Sequence, residues 1–180
     1  TGTSITAYIQ EKLWTPLGMV SDGYWMLDDH NMEMAFAGLN VTARDYAKLG
    51  ELYRLKGKWQ GKQIVSSSWI HESTTPDAPH LMPYTKKPFT DELSPLGYGY
   101  QWWVPAPTKD TVAEGDYSAI GVYNQFIYVN PTRDLVIVKL SAYSDYSLKN
   151  EAQYFKELET IELFREISSK FNAEKFALSR

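Results

Sequence analysis

A chain of 180 residues, 43% hydrophobic and 14% aromatic, is long enough for one domain with its own core. A net charge of −4 without any basic cluster speaks against an electrostatic nucleic-acid binder. The lack of cysteine excludes disulfides and thiolate metal sites, and no apolar run is long enough to span a membrane.

The chain opens TGTSITAYIQEKLWTPLGM, already at the threshold of a helix, as a processed or truncated piece of a longer protein would. The spacing of Ile5, Ile9 and Leu13 predicts a helix capped near Thr3 or Ser4 and ended by Pro16. GYWMLDD predicts a short strand or an extended arm. Thr42, with Asp45 three residues on, resembles a helix cap. Tyr46, Leu49, Gly50 and Tyr53 follow on one helical face, with Gly57 as the stop. QIVSSSWIHES predicts a short strand and then a short helix.

Residues 75–97 hold five of the nine prolines and no periodicity, which predicts a long loop, either functional or merely a surface segment. GYGYQWWV alternates as an aromatic strand, its glycines suiting close backbone approach. Phe126–Asn130, a turn at Pro131–Asp134 and Leu135–Ser141 form a hairpin. LVIVKL is apolar on both faces, as a central strand covered on both sides is. A last helix, about 150–171, carries the stripe Tyr154, Leu158, Ile161, Phe164, Ile167 and Phe171 and should lie against the sheet.

Catalytic motifs are scarce. There is no Gly-x-Ser-x-Gly elbow, and no Ser-x-x-Lys, the spacing that puts a lysine amine beside a serine hydroxyl on one helix face. His30, His71 and His80 lie far apart, with no His-x-x-x-His pair for zinc. Asp28-Asp29-His30 reads as a solvated turn, because consecutive side chains point apart. Tyr128-Val129-Asn130 matches a Tyr-x-Asn string, but it lies inside a predicted strand and reads as chance. No residue pattern calls for a metal or a cofactor. The chain is thus either a binding or structural domain or part of an enzyme whose nucleophile lies elsewhere.

The order of phrases decides between these. Trp14, Pro16, Leu17, Gly18 and Met19 in TGTSITAYIQEKLWTPLGM resemble the helix that follows the catalytic tyrosine loop in class C β-lactamase-related serine hydrolases. AGLNVTARDYAKLGELYRLKGKWQGKQIVSSSWI, LGYGYQWWV and GVYNQFIYVNPTRDLVIVKLS resemble the segments that follow. The resemblance covers nearly the whole chain and is closest to the 6-aminohexanoate-dimer hydrolases and related esterases and amidases. It implies an α+β fold, an antiparallel sheet flanked by helices as in β-lactamases and transpeptidases, here a partial domain lacking its N-terminal part. Residues 1–74 would be the helical and connecting part, 75–97 the loop, 98–141 the sheet strands and 150–171 the C-terminal helix.

It further implies that the Ser-x-x-Lys pair and the catalytic Tyr precede Thr1. The family's third motif, Lys-Thr-Gly or His-x-Gly, maps onto Ala119, Ile120 and Gly121. Val122 would then donate its backbone N–H to an oxyanion hole, a role that needs a fixed amide and no charged side chain. Ala119 cannot bind a β-lactam carboxylate as Lys or His would, which points to an ester, amide or peptide-like substrate. Tyr123, Asn124, Trp102 and Tyr100 would shape that site. This chain alone would be inactive. The edge at Leu135–Ser141 would be open to the missing N-terminal part or to self-association. Exported relatives lean the location toward the cell envelope or outside. The alternative is a non-catalytic relative used for binding or scaffolding. An independent aromatic-rich ligand-binding domain is a third reading, which leaves the abrupt start unexplained.

Overall fold

The computed structural model describes residues 2–86, 93–107, 115–142 and 151–171. Residues 87–92 of the proline-rich segment and the side chain of Tyr154 lie outside that description.

Ser4 caps the first helix, its Oγ accepting from Ala7 N at 3.1 Å. Helix α1 (Ile5–Ile9) runs through a π-helical stretch (Gln10–Trp14) into α2 (Thr15–Leu17). Pro16 does not end this run. It sits in the first turn of α2, directly after the wider π turn, where a missing N–H is tolerated. The left-handed Gly18 (φ 61°) ends it instead.

Strands β1 (Tyr24–Trp25) and β2 (Leu39–Asn40) pair antiparallel. Between them Asp28 Oδ1 accepts from the N–H groups of His30 and Met32, both at 2.8 Å, so the acidic run is a turn. Helix α3 (Ala43–Arg54) is capped by Thr42, whose Oγ1 accepts from Asp45 N at 3.3 Å. Lys56 (φ 54°), ahead of Gly57, is the first left-handed residue past its end. A small hairpin, β3 (Lys58–Trp59) with β4 (Lys62–Gln63), leads to α4 (Ser67–Ser73), capped by Ser66.

The proline-rich segment is not featureless. It holds a 3-10 turn at Pro79–Leu81 and the pair β5 (Thr85–Lys86) with β6 (Leu93–Ser94). GYGYQWWV is not one strand either: β7 (Leu96–Tyr98) turns through left-handed Gln101 into β8 (Trp103–Pro105). The glycines there do serve close approach. A Cβ on Gly99 would lie 2.2 Å from Ser73 O, and one on Gly97 2.8 Å from Leu81 O.

With β9 (Tyr117–Gly121), β10 (Gln125–Asn130) and β11 (Leu135–Lys139) these strands form one antiparallel sheet, in the order β11-β10-β9-β8-β7. The side chains alternate between two faces. Trp102, Tyr117, Ile127 and Val129 face α3 and pack with its Tyr46, Leu49 and Tyr53. Phe126 and Tyr128 face α5 (Glu151–Lys170) and pack with its Ile161 and Phe164. Ile167 departs from the expected stripe: it is exposed, while Arg165 and Ser168 turn inward. Ile137 of β11 packs on the α5 side and Val136 and Val138 on the α3 side, but all of β11 stays half-buried and it ends the sheet among the described strands. The fully covered strand is β10, not β11.

Candidate active site

The candidate site is the β9–β10 turn. Gly121↔Gln125 is the last pair of the ladder, and Val122, Tyr123 and Asn124 form the turn. Asn124 N donates to Gly121 O at 2.9 Å, the closure of a β-turn with Val122 at its second position. Asn124 holds a left-handed φ of 65°, which Asn tolerates better than most residues. Tyr123 N donates to Gln125 Oε1 at 2.9 Å. Gly121 makes room for that carboxamide: a Cβ there would lie 2.5 Å from Gln125 Oε1.

This bonding sets the direction of one amide. Gly121 C=O and Val122 N–H belong to the same planar peptide, and the described chain holds no cis bond. Because Gly121 O points into the turn, Val122 N–H points the opposite way, out of the hairpin and away from β10. On that side lies β8, whose described pairing with β9 is Trp103↔Ser118 alone. Val122 is more than half exposed.

The turn is backed from the last residue of β11, Lys139, and from Ser141 two residues beyond it. Ser141 Oγ lies 2.7 Å from Tyr123 O and 2.6 Å from Asn124 O, and its single proton is shared between the two carbonyls. Lys139 Nζ donates to Asn124 O at 3.0 Å and also to Asn124 Oδ1. Burial pulls the Lys139 ammonium below its ordinary pKa.

The expected site residues do not all share one role. Ala119 faces the α3 side of the sheet and Ile120 the α5 side, so only their backbone borders the diverging edge. Tyr123 is exposed. Asn124 is 5% exposed, its side chain turned inward toward Lys139 and Thr160. Trp102 is buried, its ring 4.4 Å from Tyr53 and 5.1 Å from Tyr117, which gives it to the core. Tyr100 is exposed and pairs with the equally exposed Trp69 at 5.5 Å. Antiparallel to β9 from the Trp103↔Ser118 pair, the β7–β8 turn that carries Tyr100 reaches the same end of the sheet as Val122. Sequence reasoning missed Gln125, Lys139, Ser141 and Trp69. One signal was present, a lone lysine inside the apolar run LVIVKL.

Two hollows of about 170 Å³ lie elsewhere, around Trp14 between the first helices, β1, β2 and α3. Neither is lined by residues of the turn. The Tyr128-x-Asn130 string is structural. Tyr128 OH donates to Asp116 Oδ2 at 3.1 Å, Asn130 Nδ2 donates to Tyr128 OH and Ser168 Oγ, and Arg165 grips Asp116 through two N–H groups at 2.8 and 2.9 Å. Burial, with Asp116 adding its charge, pushes the Tyr128 phenol well above its ordinary range, unsuited to proton shuttling at neutral pH.

A meander sheet sandwiched between α3 and α5 has the architecture of the penicillin-recognising serine hydrolases, and the beta-lactamase family profile matches residues 1–157: the chain belongs to that family. Among named relatives it is similar to the 6-aminohexanoate-dimer hydrolase of Paenarthrobacter ureafaciens, 29% identical over 145 residues, 81% of this chain and 35% of that protein. A solved structure from Bacillus anthracis, provisionally named a 6-aminohexanoate-dimer hydrolase, superposes with a TM-score of 0.68 at 30% identity. The match covers 92% of this chain and 40% of that one. A Mycobacterium bovis beta-lactamase shares the fold at TM-score 0.53 and 23% identity, over 82% of this chain and 53% of its own. The chain thus spans well under half the length of the two hydrolase relatives.

Proposed function

We propose that this chain is the C-terminal part of a serine hydrolase that cleaves esters, amides or peptide-like bonds through an acyl-enzyme, and that it supplies the oxyanion strand. The nucleophilic serine, with its lysine and tyrosine partners, belongs to the segment before Thr1. Val122 N–H donates to the oxygen that gains negative charge as the tetrahedral intermediate forms. The observation that carries this reading is the orientation of the Gly121–Val122 peptide. Its carbonyl is bonded into the turn, and its N–H is aimed out at the edge that β8 leaves. A fixed donor costs no reorganisation when charge develops. Tyr100 and Trp69 stand at the same end of the sheet, where their rings would flank the acyl group. Ala119 supplies no cation, which favours neutral substrates over β-lactam carboxylates.

The test is Val122→Pro in the full-length parent. Proline suits the second position of such a turn and removes only the N–H. Hydrolysis of a short-chain nitrophenyl ester should lose about 10²–10³-fold in kcat, the scale of one oxyanion donor. Val122→Ala, which keeps the amide, should stay within a few-fold of the parent. Equal kcat in the parent and the proline variant would end the reading. This chain alone should not turn over the ester.

A further inference from the structure

The candidate donor is aimed by a relay that begins on another strand. Val122 N–H shares a rigid plane with Gly121 C=O, and Gly121 O is held by Asn124 N at 2.9 Å. The direction of the donor thus depends on where Asn124 sits. Asn124 is held in turn from the end of β11 and from Ser141 just past it. Its carbonyl accepts from Ser141 Oγ at 2.6 Å and from Lys139 Nζ at 3.0 Å, and its Oδ1 accepts from Lys139 and, at 3.5 Å, from Thr160 Oγ1. Ser141 also takes the neighbouring Tyr123 carbonyl. A free three-residue turn would rock about its two strand ends, and that freedom is removed by Lys139, which reaches both the carbonyl and the side chain of Asn124, and by Ser141, whose one hydroxyl proton serves the adjacent Tyr123 and Asn124 carbonyls.

Lys139 has a second feature. It is the lysine of an otherwise apolar strand, half-buried, with its ammonium 5.5 Å from the centre of the Phe126 ring. Its donors go to carbonyl oxygens of the turn. A cation kept there places fixed positive charge behind a peptide whose front faces the developing oxyanion. In a half-buried setting that charge is screened less than on an open surface.

We propose that Lys139, with Ser141, is a positioning residue for acyl transfer. Through Asn124 it fixes the Gly121–Val122 peptide so that the Val122 amide stays aimed at the oxyanion. This rests on the oxyanion reading of Val122 given above. Asn124 becomes the link of the relay and not a contact for substrate.

The experiment uses the full-length parent carrying Lys139→Met, Lys139→Arg, Val122→Pro and the double variant Val122→Pro/Lys139→Met. Two quantities are read: steady-state kinetics on a nitrophenyl ester, and hydrogen exchange at the Asn124 amide. Lys139→Met should exchange that amide at least tenfold faster and lower kcat about tenfold or more, with KM within twofold. Lys139→Arg, which can still donate to two oxygens, should recover part of both. The double variant should lose no more kcat than Val122→Pro alone, because the relay has nothing left to aim. Unchanged exchange in Lys139→Met overturns the proposal whatever kcat does. Faster exchange with unchanged kcat, or a loss carried by KM, overturns it as well. The two readings separate cleanly. A Val122→Pro variant with full kcat sinks the oxyanion role, while the exchange measurement still decides whether Lys139 holds the turn.

Discussion

At the scale of single residues, Asp45 shows how one buried carboxylate organises a corner. It is fully buried, and it accepts from Val20 N at 2.9 Å, Ser21 N at 3.0 Å and Lys48 Nζ at 3.0 Å. Those bonds tie the segment after Gly18 to the start of α3. Burial alone would raise its pKa. The Val20 amide, Lys48, the Ser21 amide and Thr42 outweigh that and hold it at about 2. A carboxylate depressed in the folded state stabilises the protein above its unfolded pKa, near the ordinary 3.8, and the contribution is lost as pH falls through 4 toward 2. Urea midpoints measured from pH 6 to pH 2 should therefore fall more steeply for the parent than for Asp45→Asn. At neutral pH Asp45→Ala, which strands two backbone donors and a lysine, should cost about 3 kcal/mol. The sequence showed Asp45 only as a cap partner for Thr42. Its bonds to Val20 and Ser21 join residues far apart in the chain, and no local spacing reports such a contact. Trp102 is the converse. An aromatic residue suits core and cleft equally in sequence, and only the rings of Tyr53 and Tyr117 around it decide for the core.

Elements were most legible where a face repeats. The α3 face of Tyr46, Leu49, Gly50 and Tyr53 packs against the sheet as the spacing predicts. Gly50 is the close-approach point: a Cβ there would lie 2.6 Å from Val136 Cγ1 and 2.9 Å from Ile127 Cγ2. Gly50→Ala gains about 1 kcal/mol of helix propensity. It overpacks a filled interface at about 1–3 kcal/mol. The net effect should be a lower Tm, and an unchanged or raised Tm would show that α3 can move off the sheet. The ends of elements were less legible. Pro16 is a stop signal in sequence, but the π turn before it lets the helix continue to Gly18. Ile167 fits the apolar stripe of α5, yet Arg165 and Ser168 are buried in its place because Asp116 and Asn130 offer them partners. Polar networks of this kind leave no periodic trace.

At the scale of the whole molecule, five strands make an antiparallel meander with helices on both faces. An antiparallel sheet flanked by helices followed from the hairpin at Phe126–Ser141, the last helix and the family phrases, but the number and order of strands did not, since GYGYQWWV reads as one strand and folds as two. The candidate site was half legible. The turn could be placed from the motif order, but its backing by Lys139 and Ser141 comes from residues 15 or more positions away, at and just past the end of β11. Among the described residues no strand pairs with the outer side of β11, so this chain expressed by itself should associate through that edge, either with another copy or with the N-terminal part of the parent. Sedimentation of the isolated chain should show species larger than a monomer, and a monomer at all concentrations would argue that the edge is closed.

The central claim is that the outward amide of Val122 receives the oxyanion. A crystal structure of the full-length parent with a phosphonate transition-state analogue on its serine tests it most directly. The account predicts a phosphonyl oxygen about 2.7–3.1 Å from Val122 N, with Lys139 still bonded to Asn124. An analogue oxygen bound by other donors, with Val122 N turned away from it, would contradict the account.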